Sequence, residues 1–177
     1  MKNLSYRVAL GGIVAALCVV LLFLTGVFPF ATYALPALAG VLLILIVMEI
    51  GVKWAWLTYA AVAILALIVT PDMEAKLLFV LFFGYYPIIK AKLEHIRNRV
   101  LEWAVKLLLF NASIAAVYGL ILYVFSVAEV VEEWGKYGIP VLFIGANVTF
   151  VTYDIALTKL ISEYVARIRP RLLRRVK

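Results

Sequence analysis

Residues 8–28, VALGGIVAALCVVLLFLTGVF, form an apolar run that contains no charged residue. A helix needs about 20 consecutive apolar residues to cross the hydrocarbon core of a bilayer, so this run is long enough to span one. The rest of the chain is similar, since 67% of the 177 residues are hydrophobic and 15% are charged, against about 25% charged residues in an ordinary soluble domain. With a mean hydropathy of +1.09, the chain is predicted to be an all-α, polytopic membrane protein. This composition excludes a soluble enzyme, a secreted disulfide-rich domain and a nucleic-acid-binding protein.

Six apolar runs predict a bundle of six transmembrane helices in a single domain, residues 1–177. The predicted spans are 8–28, 33–51, 54–70, 75–89, 103–125 and 139–164. Residues 91–102, AKLEHIRNRVLE, combine charges with apolar side chains at helical spacing. They predict a short amphipathic helix that lies in the membrane interface. A basic tail, residues 165–177, follows the last span.

The distribution of basic residues predicts which side of the membrane each loop faces. If the N terminus is cytoplasmic, all of the 17 Lys and Arg residues except Lys76 and Lys136 lie on the cytoplasmic side. Cytoplasmic loops of membrane proteins carry this excess of basic residues. We therefore expect a multi-pass protein of the cytoplasmic membrane with both termini inside the cell. The basic segment 90–106 and the tail are expected to bind anionic lipid of the inner leaflet or, alternatively, a protein partner.

Residue types that carry enzyme chemistry are scarce. The chain has one histidine, His95, and one cysteine, Cys18, and it lacks His-Glu-x-x-His, Gly-x-Ser-x-Gly and Gly-x-x-x-x-Gly-Lys. A zinc hydrolase, a serine hydrolase and a nucleotide-binding P-loop need those patterns. We expect no catalytic residue, no metal site and no cofactor, and therefore a protein that is not an enzyme.

The first span carries two pairs of small residues four positions apart, Gly11 with Ala15 and Gly12 with Ala16. Such pairs flatten a helix surface, so that another helix can approach closely and gain packing that lipid does not provide. Two interpretations stay open. The pairs pack within this bundle, or they dock the protein onto a different membrane protein.

Polar residues in the last two predicted spans are the second candidate site. Asp154 lies deep in the sixth span, where a carboxylate is costly and is usually paired or functional. If the fifth and sixth helices are antiparallel neighbours, Asn111 lies level with Asp154, and Tyr118 lies level with Asn147. The first alternative is a ladder of hydrogen bonds between the two helices. The second is a polar pocket for a small solute, to which Thr149 also contributes.

The arrangement of helices and the stretch Arg7–Leu17 (RVALGGIVAAL) resemble the substrate-binding S components of energy-coupling factor (ECF) transporters. Residues 35–43, LPALAGVLL, resemble the second helix of that family. The resemblance implies uptake of a small solute together with a transmembrane coupling protein and two ATPase subunits. It also implies that Gly11, Gly12, Ala15 and Ala16 dock on the coupling protein. Residues 82–90 (FFGYYPIIK) and 153–164 (YDIALTKLISEY) in addition resemble a group of bacterial six-helix membrane proteins whose function is uncharacterised.

Three hypotheses follow from these patterns. The first is a membrane-embedded, small-solute-binding subunit of an ATP-driven uptake transporter, similar to an S component. The second is a non-enzymatic structural or assembly protein of the cell envelope, whose surfaces bind other proteins and which has no ligand pocket. The third is an ion-coupled carrier that uses Asp154.

Overall fold

The computed structural model describes the backbone of residues 3–125 and 135–169, and their side chains outside residues 122–142 and residue 168. The chain divides into two compact units, residues 1–127 and residues 128–177. The first unit contains helices α1 (Leu4–Leu24), α2 (Ala34–Glu49), α3 (Val52–Val69), α4 (Met73–Leu78), α5 (Tyr86–Leu93) and α6 (Arg99–Phe125). The second unit contains α7 (Gly135–Glu163).

The core of the first unit is made by α1, α2 and α3. Val14, Cys18 and Leu22 repeat every four residues along α1, and their side chains are buried against the other two helices. The Cys18 thiol donates a hydrogen bond to the Ala39 carbonyl oxygen of α2 at 3.3 Å. This spacing places one stripe of α1 in the core. The opposite face leaves apolar side chains such as Leu17 exposed, as expected for a helix that faces lipid.

The chain reverses between α2 and α3 within two residues, Ile50 and Gly51. Gly51 has a φ of 101°, which is in the left-handed region that side chains with a Cβ rarely adopt. Glycine therefore permits the tight link, and no loop is needed to join α2 to α3.

Residues 75–89, predicted as one span, form several shorter pieces. After α4, Phe79–Phe83 form a π-helical turn that ends with a hydrogen bond from the Gly84 N–H to the Phe79 carbonyl oxygen at 2.8 Å. The Tyr59 hydroxyl of α3 donates to the Val80 carbonyl oxygen inside that turn at 2.6 Å. Pro87 then lies in the first turn of α5, where the missing N–H of proline costs nothing.

The structure corrects the prediction of an interfacial helix at 91–102. Instead, α5 ends at Leu93 and α6 begins at Arg99, so a link of five residues lies within the predicted helix. The Asn98 side chain accepts a hydrogen bond from the Val100 N–H at 3.0 Å and caps the start of α6. Capping starts a new helix at this point, because the polar side chain satisfies an N–H that has no partner within the helix.

Side-chain hydrogen bonds join the segments at one end of the first unit. Thr32 and Tyr33 precede α2, and their hydroxyls bond to Asp72 and Glu74, which follow α3. Tyr118, near the C-terminal end of α6, bonds to the same Glu74. We name this end the α1–α2 end. The opposite end, with the link between α5 and α6, is named the α5–α6 end.

Three helices of the described chain are long and apolar enough to cross a membrane: Leu4–Leu24, Val52–Val69 and Arg99–Ile121. The shorter apolar helix α2 has 16 residues, which is about 24 Å at 1.5 Å per residue. The described part of the chain is therefore helical, and its long apolar helices are compatible with a membrane protein. The number of six spans and the orientation of the termini stay predictions.

Candidate functional site

A cluster of hydroxyl and carboxyl groups lies at the α1–α2 end of the first unit. The Tyr33 and Tyr118 hydroxyls both donate to the Glu74 Oε1 atom at 2.6 Å, and the two hydroxyl oxygens are 3.1 Å apart. We name these three residues the Tyr–Glu cluster. They come from the link before α2, the first turn of α4 and the C-terminal half of α6. Three segments that are distant in sequence therefore meet at one carboxylate.

A second carboxylate supports the cluster. The Thr32 hydroxyl donates to Asp72 Oδ2 at 2.7 Å, while Asp72 Oδ1 accepts from the Ala75 N–H at 3.1 Å and caps α4. Nearby, a Cβ built on Gly26 would lie 2.7 Å from a Pro71 side-chain atom. The link between α1 and α2 is therefore in close contact with the link between α3 and α4. These contacts position Glu74 because it lies in the helical turn that Asp72 caps.

Burial and the Glu74 carboxylate raise the pKa of Tyr33 to about 12, with burial as the larger cause. Its hydroxyl therefore keeps its proton at physiological pH and remains a donor. The cluster thus offers a carboxylate whose Oε1 atom already accepts two hydrogen bonds. Chemically, such a group can bind a solute that carries a positive charge or several N–H or O–H donors.

Of the five solute-binding residues predicted from the sequence, Tyr118 lies in this cluster. The structure gives three of the others a hydrogen bond to the carbonyl oxygen four residues earlier in their own helix, which is common for short polar side chains. These bonds join Asn111 to Leu107, Asn147 to Phe143, and Thr149 to Gly145, at 2.8 to 2.9 Å. Asp154 is buried in α7, with 2% of its surface exposed. Because Asn111 and Tyr118 belong to the first unit and the other three to the second, the predicted pairing stays a prediction.

The four predicted docking residues divide into two pairs. A Cβ built on Gly11 would lie 3.4 Å from the Thr58 hydroxyl oxygen of α3, and Ala15 packs against the core. Gly12 has nothing within 4 Å of that position, and Ala16 is exposed. Gly11 therefore packs against α3, and Ala15 packs against the core of the first unit. Gly12 and Ala16 lie on the open face of α1.

Sequence reasoning missed a buried group of charges at the α5–α6 end. Lys90, Glu102 and Lys106 are at most 2% exposed, and the Glu94 side chain is 33% exposed. Glu94 Oε1 lies 2.6 Å from Lys90 Nζ and 3.5 Å from Lys106 Nζ, and Glu102 Oε1 lies 2.9 Å from Lys106 Nζ. We name these four residues the Lys–Glu network.

The spacing of the Lys–Glu residues along the sequence is a pattern that predicts ion pairs. Lys90 with Glu94 and Glu102 with Lys106 are both four residues apart, which favours ion pairs on one helix face. The contact from Lys106 to Glu94 joins the two pairs across the link between α5 and α6. Buried lysines need such partners, because an isolated charge in an apolar interior is very costly.

Neither end of the first unit offers a metal centre within the described residues. No group of three or more His, Cys, Asp or Glu side chains in that part of the chain could hold a metal ion.

Comparisons with protein-family models, with curated proteins and with solved structures found no match.

Proposed function

We propose that this chain is a membrane-embedded subunit that binds a small solute and delivers it to an ATP-driven uptake transporter, in the manner of an S component. The proposal rests on the Tyr–Glu cluster. Tyr118, chosen from the sequence as a solute-binding residue, shares the Glu74 carboxylate with Tyr33 at one end of the first unit. Under the proposed orientation, with the N terminus in the cytoplasm, that end faces the outside of the cell.

The cluster suits capture of a solute because its groups come from three separate segments, one link and two helices. Tyr33 lies in the link before α2, and Glu74 lies in the first turn of α4, while Tyr118 lies on the long helix α6. A solute that inserts a donor or a cation at Glu74 would replace the hydrogen bonds of the two tyrosines. Binding would then alter the contact between these three segments.

The open face of α1 supports the need for a larger membrane partner. Gly12 and Ala16 leave a flat surface on a helix that is otherwise apolar, and tight packing of small residues is a main source of helix association in lipid. A coupling protein with two ATPases would supply the energy, because no nucleotide-binding motif occurs in this chain.

The first experiment is affinity purification of the tagged chain from its native membrane in mild detergent, followed by mass spectrometry of the proteins recovered. The proposal expects a larger helical membrane protein together with two ATPases. The variant Gly12→Leu should lose that complex. The matched control is Gly119→Leu on α6, since Gly119 also has nothing within 4 Å of its Cβ position. Recovery of the chain alone, or equal loss with both variants, contradicts the docking role of α1.

Solute binding is tested separately by native mass spectrometry of the purified chain. A small molecule retained by the wild-type protein should be lost from the variant Glu74→Gln and weakened in Tyr118→Phe. Asn147→Ala serves as the comparison, because the Asn147 amide donates to a carbonyl of its own helix. If Asn147→Ala abolishes binding and Glu74→Gln does not, the solute lies in the region predicted around α7 instead.

A structural or assembly protein of the cell envelope is the second candidate function. The observation that favours it is that the polar side chains of the Tyr–Glu cluster bond to one another, as in a structural brace. In that case the purification recovers envelope-synthesis or division proteins, and native mass spectrometry finds no solute. Gly12→Leu would then disrupt that assembly.

A further inference from the structure

The residues between Lys90 and Lys106 carry five basic side chains and two carboxylates. The structure separates them into two groups. Both carboxylates, Glu94 and Glu102, pair with the buried lysines Lys90 and Lys106 in the Lys–Glu network. The acidic residues of this segment are therefore occupied by two lysines that are hidden from the surface.

The three remaining cations, Lys92, Arg97 and Arg99, are exposed. We name them the basic rim. Within the described residues, Lys92 and Arg97 have no ion-pair partner. The Arg99 guanidinium lies 3.2 Å from Glu102 but is 84% exposed, so most of its surface faces the surroundings. The rim thus carries a net positive charge that the folded chain does not neutralise.

Exposed apolar side chains adjoin the basic rim. Val100 is 78% exposed and Leu101 is 53% exposed, and both directly follow Arg99 at the start of α6. Arg99–Ile121 is also one of the helices that can cross a membrane. Cations next to exposed apolar residues at the end of such a helix match the boundary between phosphate headgroups and acyl chains. A soluble acidic partner would match the cations but would leave Val100 and Leu101 without apolar contact.

A shallow hollow beside the rim completes the surface. It is lined by Ala91, Lys92 and His95. The His95 Nδ1 atom lies 2.8 Å from the Ala91 carbonyl oxygen. A carbonyl oxygen only accepts, so this contact places a proton on Nδ1. The ring is held in one orientation at the edge of the hollow.

We propose that the basic rim is a binding site for the phosphate headgroup of anionic lipids. Lys92 and Arg97 bind the phosphate, Arg99 contributes from the start of α6, and Val100 and Leu101 contact the acyl chains. The Lys–Glu network supports the site by holding α5 and the start of α6 together. Lys90 and Lys106, although basic, take no part in lipid binding because they are buried. This proposal is independent of whether the chain binds a solute.

The test uses the full chain in nanodiscs made from a mixture of phosphatidylglycerol and phosphatidylcholine, with native mass spectrometry of the lipids that remain bound after release. The wild-type protein should retain phosphatidylglycerol in preference to phosphatidylcholine, and this preference should fall as salt is raised. The double variant Lys92→Gln/Arg97→Gln should weaken the preference by roughly 25-fold, which is about five-fold for each cation removed.

The matched control is Lys53→Gln/Lys159→Gln, which removes two other exposed cations and gives the same net charge. It should keep most of the preference for phosphatidylglycerol. Because all four side chains are exposed, neither double variant removes a core contact. Equal loss in both double variants, or no preference for phosphatidylglycerol in the wild-type protein, overturns the proposal. A salt dependence that is as steep in Lys92→Gln/Arg97→Gln as in the wild-type protein overturns it as well.

Discussion

Replacing Glu102 with glutamine should lower the free energy of unfolding by about 3–5 kcal/mol, which is typical when one member of a buried ion pair is removed. Glutamine keeps the size of the side chain but takes away the charge that pairs with Lys106 Nζ at 2.9 Å. Both side chains are 2% exposed, so little water reaches Lys106 Nζ when its partner is lost. Lys106 still has the longer contact of 3.5 Å to Glu94 and lies 5.1 Å from the centre of the Trp103 ring, which places the expected loss toward the lower end of the range.

The matched control for this prediction is Glu163→Gln. Glu163 also pairs with a basic residue four positions later, since its Oε2 atom lies 3.0 Å from Arg167 Nε. Those side chains are 58% and 73% exposed, so the same substitution should cost no more than about 1 kcal/mol. The comparison keeps the substitution and the four-residue spacing the same and changes the burial of the pair, with arginine instead of lysine as the partner.

The assay is unfolding of the purified chain in mixed micelles with increasing denaturing detergent, followed by far-UV circular dichroism. The double variant Glu102→Gln/Lys106→Met completes a cycle, and it should be more stable than the sum of the two single changes predicts, by about 2 kcal/mol. If Glu102→Gln and Glu163→Gln cost the same, or if the two changes in the cycle are additive, Glu102 and Lys106 are not a buried pair and the reasoning fails.

Three further predictions concern the first unit. Gly84→Ala should destabilise the first unit by about 1–3 kcal/mol, because a Cβ at Gly84 would lie 2.5 Å from the Tyr59 ring. A Cβ at Gly12 would have no atom within 4 Å, so Gly12→Ala should be nearly neutral in the same unfolding assay. Cys18, fully buried in the core, should react with a maleimide only after unfolding, and prompt labelling of the folded protein would contradict its burial. The absorbance difference at alkaline pH between wild-type protein and Tyr33→Phe should titrate near pH 12. Because the pKa of Tyr33 is raised in the folded protein, Tyr33 stabilises the fold fully below about pH 10 and loses this contribution as the pH rises toward 12. A titration midpoint near pH 10 would show that the Tyr33 hydroxyl is neither buried nor hydrogen-bonded to Glu74 as described.

The limits of the long helices were predictable from hydropathy. Spans predicted at 54–70 and 103–125 correspond to α3 (Val52–Val69) and α6 (Arg99–Phe125), with ends shifted by a few residues. Runs of apolar residues between charged or proline-containing segments carry this information, because a bilayer requires every backbone group in a span to be bonded within a helix.

The break within residues 75–89 depends on contacts that a local pattern does not contain. Those residues read as one apolar run, yet Tyr59 of α3 donates to the Val80 carbonyl oxygen where the helix widens into a π-helical turn. A hydrogen bond from 21 residues away can stabilise that distortion. Periodicity within the run has no means to indicate it.

The candidate site was predictable only in part, because its contacts join residues that are distant in sequence. Tyr118 was identified as a polar residue in an apolar helix, but its partners, Tyr33 and Glu74, lie 85 and 44 residues away. Lys90 and Lys106 looked like surface cations because their sequence neighbours are charged. Their burial depends on Glu94 and Glu102, which the turn between α5 and α6 brings within reach.

The sequence by itself determined that this protein is built from apolar helices of membrane type, because length and hydropathy along one chain segment are enough to specify a helix that avoids water. Only the tertiary structure decided which face of each helix is inside. From Val8 onward, α1 is apolar on all sides, so its pattern does not distinguish the face that packs from the face that meets lipid. Gly11 and Gly12 are neighbours in an apolar run, yet one lies against Thr58 and the other faces open space.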